Sequence, residues 1–508
     1  MNAYAFPSVR RDGLTLILGL GETGLAAALW CAAHGARLRV LDTREQPGGL
    51  EGLRARVADA DLRLGADALV PEALEDVHTL VLSPGLNPRQ QPVAALLAAA
   101  RARGIEVLGE IELFARAFAD LRGQGYAPAM VAVTGTNGKT TVTALVRCLA
   151  EAAGRKVRAA GNISPSALAS LRQALDEDDL PQVWVLELSS FQLEATETLA
   201  LDAAVVLNVT QDHLDWHGSM EAYTRAKARV LAMARVAIVN RDDPLVSTMV
   251  PALDEARVRS FGADAPKLAG DLGIEVRDGM AWLAHARDVE PEERAAAPRR
   301  ARAPEAAPRR RAGRSDALMP VEALRIRGMH NALNGLAALA LGHEIGLGWA
   351  PMLHALQAYR GEAHRTEFVR RIADVDFIDD SKGTNVGATL AALRGLGQPV
   401  VLIAGGLGKG QDFAPLVPVV RAHARAVMLI GRDGPAIGEA LASTGVPLVP
   451  CASLEQAVAQ GLAHALPGDA VLLSPACASM DMFRNYAHRS ACFVEAVREL
   501  AAESGEVA

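Results

Sequence analysis

Gly135-Thr136-Asn137-Gly138-Lys139-Thr140-Thr141 is the stretch that decides how this chain is read. The apolar run Met130-Val131-Ala132-Val133 leads into it and predicts a buried strand, and the spacing from Thr143 to Ala152 predicts a helix. Strand, glycine-rich turn and helix together make a phosphate cradle. Glycines let backbone N–H groups close on phosphate oxygens, and the helix N-terminus adds positive potential. Lys139 is placed to reach the β- and γ-phosphates, and the Thr140 hydroxyl to take a Mg²⁺ ligand position. The common longer form of such a loop starts with Gly five residues before Gly138, where this chain has Val133.

Upstream, Leu14 to Leu20 predicts a strand that runs into Gly19-Leu20-Gly21-Glu22-Thr23-Gly24, and Leu25 to His34 predicts a helix. A second strand, Arg37 to Leu41, ends at Asp42. This is the dinucleotide fingerprint with an acidic residue about twenty positions on, and alone it points to NAD. A strand at Thr79 to Leu82, the turn Ser83-Pro84-Gly85, a helix from Pro92 to Arg103 and a strand at Glu106 to Leu108 complete a small Rossmann-like unit ending near Gly109.

At 508 residues the chain exceeds what one core serves, so roughly two to four domains are expected. Half of the residues are hydrophobic, enough to bury several sheets. The net charge of −7 gives no electrostatic reason for a nucleic-acid partner. Cys31, Cys148, Cys451, Cys477 and Cys492 are scattered without zinc spacing, which reads as free thiols in a reducing cytoplasm. No secretion signal opens the sequence, and no apolar run reaches the roughly 18 residues of a membrane span.

Downstream of the loop, Gly161-Asn162-Ile163 follows a strand, and Val183-Trp184-Val185-Leu186 delivers Glu187 at a strand's carboxyl end, where ligands sit in open parallel sheets. A carboxylate there suits Mg²⁺. Ala203 to Leu207 leads to Asp212-His213, and a helix from Met220 to Met233 carries Lys227. Alone, such a histidine is structural and such a lysine solvated. Asn331 and Asn334 share a helix face, with helix capping as the alternative for Asn331. Strands ending before Asp380-Ser381-Lys382, before Gly408-Lys409 and before Ser479 bring two lysines and a serine to one sheet edge, a pocket for an anionic amino acid. Residues 287–314 are rich in Arg and Pro and cannot bury enough surface to offset ordering. They predict a disordered insertion between two strands, and a nucleic-acid or membrane role for the arginines is set aside.

Taken in order, Asp42-Thr43-Arg44, the phosphate loop, Glu187-Leu188-Ser189-Ser190-Phe191-Gln192, Asp212-His213, Asn331-x-x-Asn334, His364-Arg365, Asp380-Ser381-Lys382-Gly383-Thr384-Asn385 and Ser474-Pro475-Ala476-Cys477-Ala478-Ser479 resemble the motifs of the Mur ligases. The resemblance implies three α/β domains. Residues 1–109 form a Rossmann-like uridine-nucleotide domain, 110–361 a P-loop ATPase-type parallel-sheet domain, and 362–508 a Rossmann-like amino-acid domain. It implies a monomeric cytoplasmic ligase of peptidoglycan precursor synthesis. ATP would phosphorylate the carboxylate of UDP-N-acetylmuramoyl-L-alanine, and the amine of D-glutamate would displace phosphate. Lys139, Glu187, His213 and Lys227 are then the catalytic set. Two Mg²⁺ would be held by Thr140, Glu187, His213 and Lys227, the last as a carbamate. ATP would lie on Gly135, Thr136, Asn137, Gly138, Lys139, Thr140, Thr141, Asn331, Asn334, Arg365, Asp380 and Lys382. The uridine substrate would lie on Gly21, Thr23, Asp42, Thr43, Arg44, Gly85 and Asn162, and D-glutamate on Thr384, Lys409, Ser479 and Tyr486. The last stands where the family resemblance implies Phe.

Besides another Mur-type amino-acid ligase, three other readings stay open. A folylpolyglutamate synthase shares the phosphate loop and the chemistry but has no domain before that loop, where this chain has more than a hundred residues. An NAD-dependent oxidoreductase explains the first glycine-rich turn and leaves the second unused. A P-loop switch without enzymatic activity is the third.

Overall fold

In the computed structural model, residues 4–289, 310–326 and 328–504 are described. Three sheets follow one another along the chain. The first has the order β3-β2-β1-β4-β5, with β1 Leu14–Leu18, β2 Arg37–Asp42, β3 Asp61–Leu64, β4 Val77–Leu82 and β5 Glu106–Leu108, all parallel. Strand β1 is buried along its whole length, as expected for a parallel strand covered on both faces. Helix α1, Glu22–Ala33, follows it directly. Strand β3 was not legible beforehand because Asp61-Leu62-Arg63-Leu64 is half-buried, short and polar at alternate positions.

The second sheet has nine strands, ordered β14-β13-β12-β11-β10-β9-β6-β8-β7. Its parallel part consists of β6 Ala129–Thr134, β7 Val157–Gly161, β8 Val183–Glu187, β9 Leu201–Val206, β10 Ala234–Asn240 and β11 Val258–Phe261. Strand β12, Leu272–Arg277, joins β11 in parallel, and β13 Met280–Arg287 and β14 Arg314–Pro320 extend the edge as antiparallel partners. Alternate residues of β6 face opposite cores: Met130 and Ala132 pack with Trp184, while Val131 and Val133 pack under α3, Lys139–Ala152. Helices α2 Glu110–Gly123, α4 Ala167–Asp176, α5 Met220–Ala232 and α6 Met329–Glu344 cover the faces.

The third sheet runs β15-β16-β20-β17-β18-β19. It contains β15 Glu367–Ile372, β16 Val375–Asp379, β17 Val400–Gly405, β18 Ala424–Ile430, β19 Leu448–Pro450 and β20 Ala470–Leu473, parallel except for β15 against β16. Helix α7, Val386–Gly395, follows β16, and α8, Tyr486–Glu503, is the last helix among the described residues. In each sheet the chain reverses its direction of winding beside one strand: β1, β6 and β17. The carboxyl ends at such a reversal form a crevice, and the two glycine-rich turns and the loop of Lys409 follow these three strands.

The polar run 287–314 needs a correction at both ends. Arg287 pairs with Arg314 across β13 and β14. Arg310 is buried against Asp271 at 2.5 Å, Ala312 bridges to Leu268, and Gly313 donates to the carbonyl of Lys267. Buried Asp271 needs a cation, and Arg310 supplies it, so this arginine is structural. Residues 290–309 of that run lie outside the described residues.

Candidate active site

The phosphate loop connects β6 to α3. Helix α3 starts at Lys139, four residues earlier than the spacing predicts, because Gly138 takes φ +85° and turns the chain directly into it. A Cβ on Gly138 would lie 2.6 Å from Asn334 Oδ1, so the loop and α6 also need this glycine for their close approach. The loop is held from β9: Asn208 Oδ1 accepts from the Asn137 N–H at 2.8 Å, and Asn208 Nδ2 donates to the Asn137 carbonyl. Thr136 accepts from the Thr210 N–H and lies 3.2 Å from the Tyr223 hydroxyl. Lys139 Nζ donates to the carbonyls of Gly135 and Thr136, both at 2.9 Å. Burial pushes its pKa down; Glu187 and Asp212 oppose that shift, and Arg365 and Lys382 reinforce it. Thr140 and Thr141 complete the first turn of α3, with Thr141 buried and Thr140 half-buried.

The register of β6, β7 and β8 puts Val133, Gly161 and Glu187 side by side at the carboxyl edge. Glu187 is 2% exposed. Its Oε1 accepts from Asn162 Nδ2 at 3.0 Å, and its Oε2 has no hydrogen-bond partner among the described residues. Asn162 is therefore engaged with Glu187 and does not line the first-sheet crevice that holds its expected companions.

Lys227 is 1% exposed, so it is not the solvated helix lysine that its sequence context alone would suggest. Its Nζ donates to the Gly135 carbonyl at 2.9 Å and sits 4.6 Å above the Tyr223 ring. Burial drives its pKa well below the ordinary lysine value, and the nearby charge of Lys139 adds to this, against the pull of Asp212 and Glu187. His213, held at φ +53°, packs against Phe191 and lies 3.5 Å from Asp212. Burial lowers its pKa to about 4; Asp212 opposes the shift, and Lys409, Lys139 and Lys227 add to it. At neutral pH its imidazole is uncharged and has a lone pair to offer. The Glu187 oxygen without a partner among the described residues suits a hard divalent ion beside the phosphate loop, and the His213 imidazole, a weaker ligand for such an ion, lies near enough to feel the charges of Lys139 and Lys227. Lys227 fits as a ligand only as a carbamate, because an ammonium would repel the ion.

Asn137, Gly138, Thr141, Asn331, Asn334, Arg365, Asp380 and Lys382 meet around one small cavity between the second and third sheets. It adjoins a cleft of about 700 Å³ that shares Asn331 and Arg365. Gly328, and not Asn331, stands at the N-cap of α6, while Asn334 Nδ2 donates to Asn331 Oδ1 at 3.3 Å. Asp380 accepts from Ser474 Oγ at 2.7 Å. Burial raises its pKa to about 7 against the hydrogen bond from Ser474 and the charge of Arg365. His330 and Glu362 line the same space and were missed. His330 directly precedes Asn331 of the Asn-x-x-Asn pair, which was the available signal.

On the third sheet, Lys382 lies 4.9 Å over the Tyr486 ring. A bridge between Leu407 and Ala478 brings the loops of Lys409 and Ser479 together, and Thr384 follows Lys382 in the turn after β16. On the first sheet, Gly21, Thr23, Asp42, Thr43, Arg44 and Gly85 line one crevice of about 480 Å³. The Asp42 carboxylate accepts from the backbone of Leu20 and Arg44 and from two nitrogens of the Arg44 guanidinium, at 2.7–2.9 Å. Burial works against its ionisation, but these four donors hold its pKa below the usual carboxylate range.

The sequence matches three family descriptions in this same order. Residues 14–109 match the Mur ligase MurD-like N-terminal domain, 133–292 the Mur ligase middle domain, and 364–477 the Mur ligase glutamate ligase domain. The UDP-N-acetylmuramoylalanine–D-glutamate ligase of Bordetella bronchiseptica is 63% identical over 500 residues, 97% of this chain and 98% of that protein. The chain belongs to the Mur ligase family. A second relative with the same name, from Burkholderia multivorans, is 55% identical over 98% of this chain and 99% of its own. Among solved structures, a MurF from Acinetobacter baumannii has a TM-score of 0.57 at 17% identity over 91% of both chains. A MurF ligase from Thermotoga maritima in complex with ADP has a TM-score of 0.55 at 16% identity, over 92% of this chain and 95% of that one. At such identities these two show the shared three-domain Mur ligase fold alone. No helix among the described residues is long and apolar enough to cross a membrane.

Proposed function

We propose that this Mur ligase joins D-glutamate to UDP-N-acetylmuramoyl-L-alanine at the expense of ATP, in cytoplasmic peptidoglycan precursor synthesis. The observation that carries the reading is the 63% identity, over 97% of this chain, to a relative named for that reaction, joined to a phosphate loop beside the buried Glu187 carboxylate, one oxygen of which has no partner among the described residues. A carboxylate oxygen of the alanine attacks the γ-phosphorus of ATP, and ADP leaves. The nitrogen of D-glutamate then attacks the acyl carbon, the carbon–oxygen bond to phosphate breaks, and the nitrogen gives up a proton. Positioning and charge neutralisation are what the protein must supply.

Lys139 would leave its two loop carbonyls for the transferring phosphoryl group, a short move for a long side chain. Mg²⁺ would be held by Thr140, Glu187, His213 and carbamylated Lys227, and would supply charge neutralisation at the phosphates. A desolvated amine loses its proton readily, and only the free amine adds CO₂. Asn162 keeps Glu187 aimed. Asn331, Asn334, Arg365, Asp380 and Lys382 would hold the nucleotide, and Thr384, Lys409, Ser479 and Tyr486 the amino acid.

The first-sheet crevice is assigned to the uridine nucleotide. In an NAD site the acid after the second strand accepts from ribose. Here all four lone-pair positions of Asp42 are taken by protein donors, so it shapes the loop instead. Calorimetry tests this part: UDP-N-acetylmuramoyl-L-alanine should bind the intact protein and NAD should not. Tight NAD binding with none for the UDP-sugar would overturn it.

A further inference from the structure

Helix α7 makes a contact that none of the roles above requires. Asn385 stands at its N-cap, where its Oδ1 accepts from the Ala388 N–H at 2.9 Å. The same amide pairs reciprocally with Asn137 of the phosphate loop. Asn137 Nδ2 donates to Asn385 Oδ1 at 3.2 Å, and Asn385 Nδ2 donates to Asn137 Oδ1 at 3.0 Å. Asn385 is 4% exposed, so little water competes for it. Gly387, in the first turn of α7, lies so close that a Cβ there would meet Thr210 Oγ1 at 2.8 Å and Asn137 Nδ2 at 3.0 Å. At the other end of the helix, a Cβ on Gly395 would lie 2.7 Å from His330 Cε1. Helix α7 thus touches the nucleotide side of the second sheet at both ends, each time through a glycine. Its N-cap also follows directly on the turn that carries Lys382 and Thr384.

We propose that Asn385 and Gly387 are positioning residues. They seat α7 on the phosphate loop and so fix the distance between the amino-acid site of the third sheet and the phosphoryl site of the second. Asn137 is held on its backbone by Asn208, so a shift of the phosphate loop on nucleotide binding reaches α7 through the Asn137–Asn385 amide pair and the close packing of Gly387, while Asn385 Nδ2 also donates to Asp212 Oδ2 at 3.5 Å. The inference rests on the ligase reading for what the distance serves. The seating itself does not depend on which amino acid is joined.

Two variants separate seating from folding. Gly387→Ala favours the helix itself, because Ala has the better helix propensity, yet it places a methyl group in the interface. Asn385→Ser keeps an N-cap oxygen for Ala388 but loses the donor to Asn137. Small-angle X-ray scattering on the whole protein, with and without ADP, should give a larger radius of gyration for both variants than for the parent, while neither melting temperature falls by more than a few degrees. In phosphate-release assays kcat should fall about tenfold and KM for D-glutamate should rise, with calorimetric affinity for the UDP-sugar unchanged. Parental scattering and parental amino-acid KM in both variants would overturn the proposal. If the parent itself releases no phosphate with D-glutamate, the ligase reading fails instead, and the scattering comparison still decides the seating.

Discussion

Two turns in this molecule look alike and are built for opposite tasks. Gly19 to Gly24 and Gly135 to Thr141 both join a buried parallel strand to a helix at a winding reversal. In the first, the helix opens with Glu22, whose carboxylate sits at the positive helix end and accepts from Ser164 Oγ at 2.7 Å. Beside it Asp42 is saturated by loop donors. In the second, the helix opens with Lys139, no acid stands in its first turn, and Lys227 lies behind it. An acid at the helix start disfavours a bare phosphate, and lysines invite one. Glycine spacing alone marks a close backbone approach, and the charges around it decide what approaches.

Breaking the second turn should cost most. Lys139→Ala should fold and lose about 10²–10³-fold in kcat, as expected when a charge stabiliser of the transferring group is removed. Steady-state phosphate release checks it, and near-parental turnover would remove the cradle reading.

Lys227 should come next. Lys227→Ala should lose about a hundredfold or more, and added formate or acetate should restore part of the rate, because the missing group is an anion. An amine of similar size should restore nothing. Lys227→Arg should also fail, since a guanidinium cannot take up CO₂. An active Lys227→Arg enzyme would exclude the carbamate.

Breaking the first turn should cost less and should act on binding. Asp42→Asn loses the ion pair with Arg44, and UDP-sugar affinity should fall about tenfold, or 1.4 kcal/mol, with the KM for ATP unmoved. Calorimetry checks this, and an equal loss for both nucleotides would blur the division of labour between the turns.

The smallest effect on turnover is expected at the seam between the first two sheets. Glu110 is buried there, accepts from the Leu168 N–H at the start of α4, and has its second oxygen unpartnered among the described residues. Burial raises its pKa to about 7, against the hydrogen bonds it accepts and with a small push from Glu22. A carboxyl with a raised pKa contributes its stability below the unfolded value near 4.5, and that contribution is lost as pH rises through 7. Glu110→Gln keeps the acceptor and removes the charge, so it should be more stable than the parent at pH 8 by about 1–3 kcal/mol and no more stable at pH 4. Denaturant melts at both pH values check the sign.

Much of the site was legible because strand ends are local events. An apolar run that stops at glycine or a polar residue announces a carboxyl edge, and this held for Glu187, Asp42, Lys382 and the phosphate loop. Burial and pairing across the chain were not legible. Nothing local tells that Lys227 is buried against the Tyr223 ring, or that Asn162 serves Glu187. The pair Asn137–Asn385 spans 248 positions. Arg310 was hidden by composition, since its polar neighbours outvote one residue whose partner, Asp271, lies 39 positions away.

The central claim is most directly tested by phosphate release from ATP with UDP-N-acetylmuramoyl-L-alanine while the acceptor is varied among D-glutamate, L-glutamate, L-lysine and glycine, with the product weighed by mass spectrometry. The account predicts release with D-glutamate alone, one phosphate for each amide formed. Equal release with every acceptor, or with none, and no D-glutamyl product would contradict it.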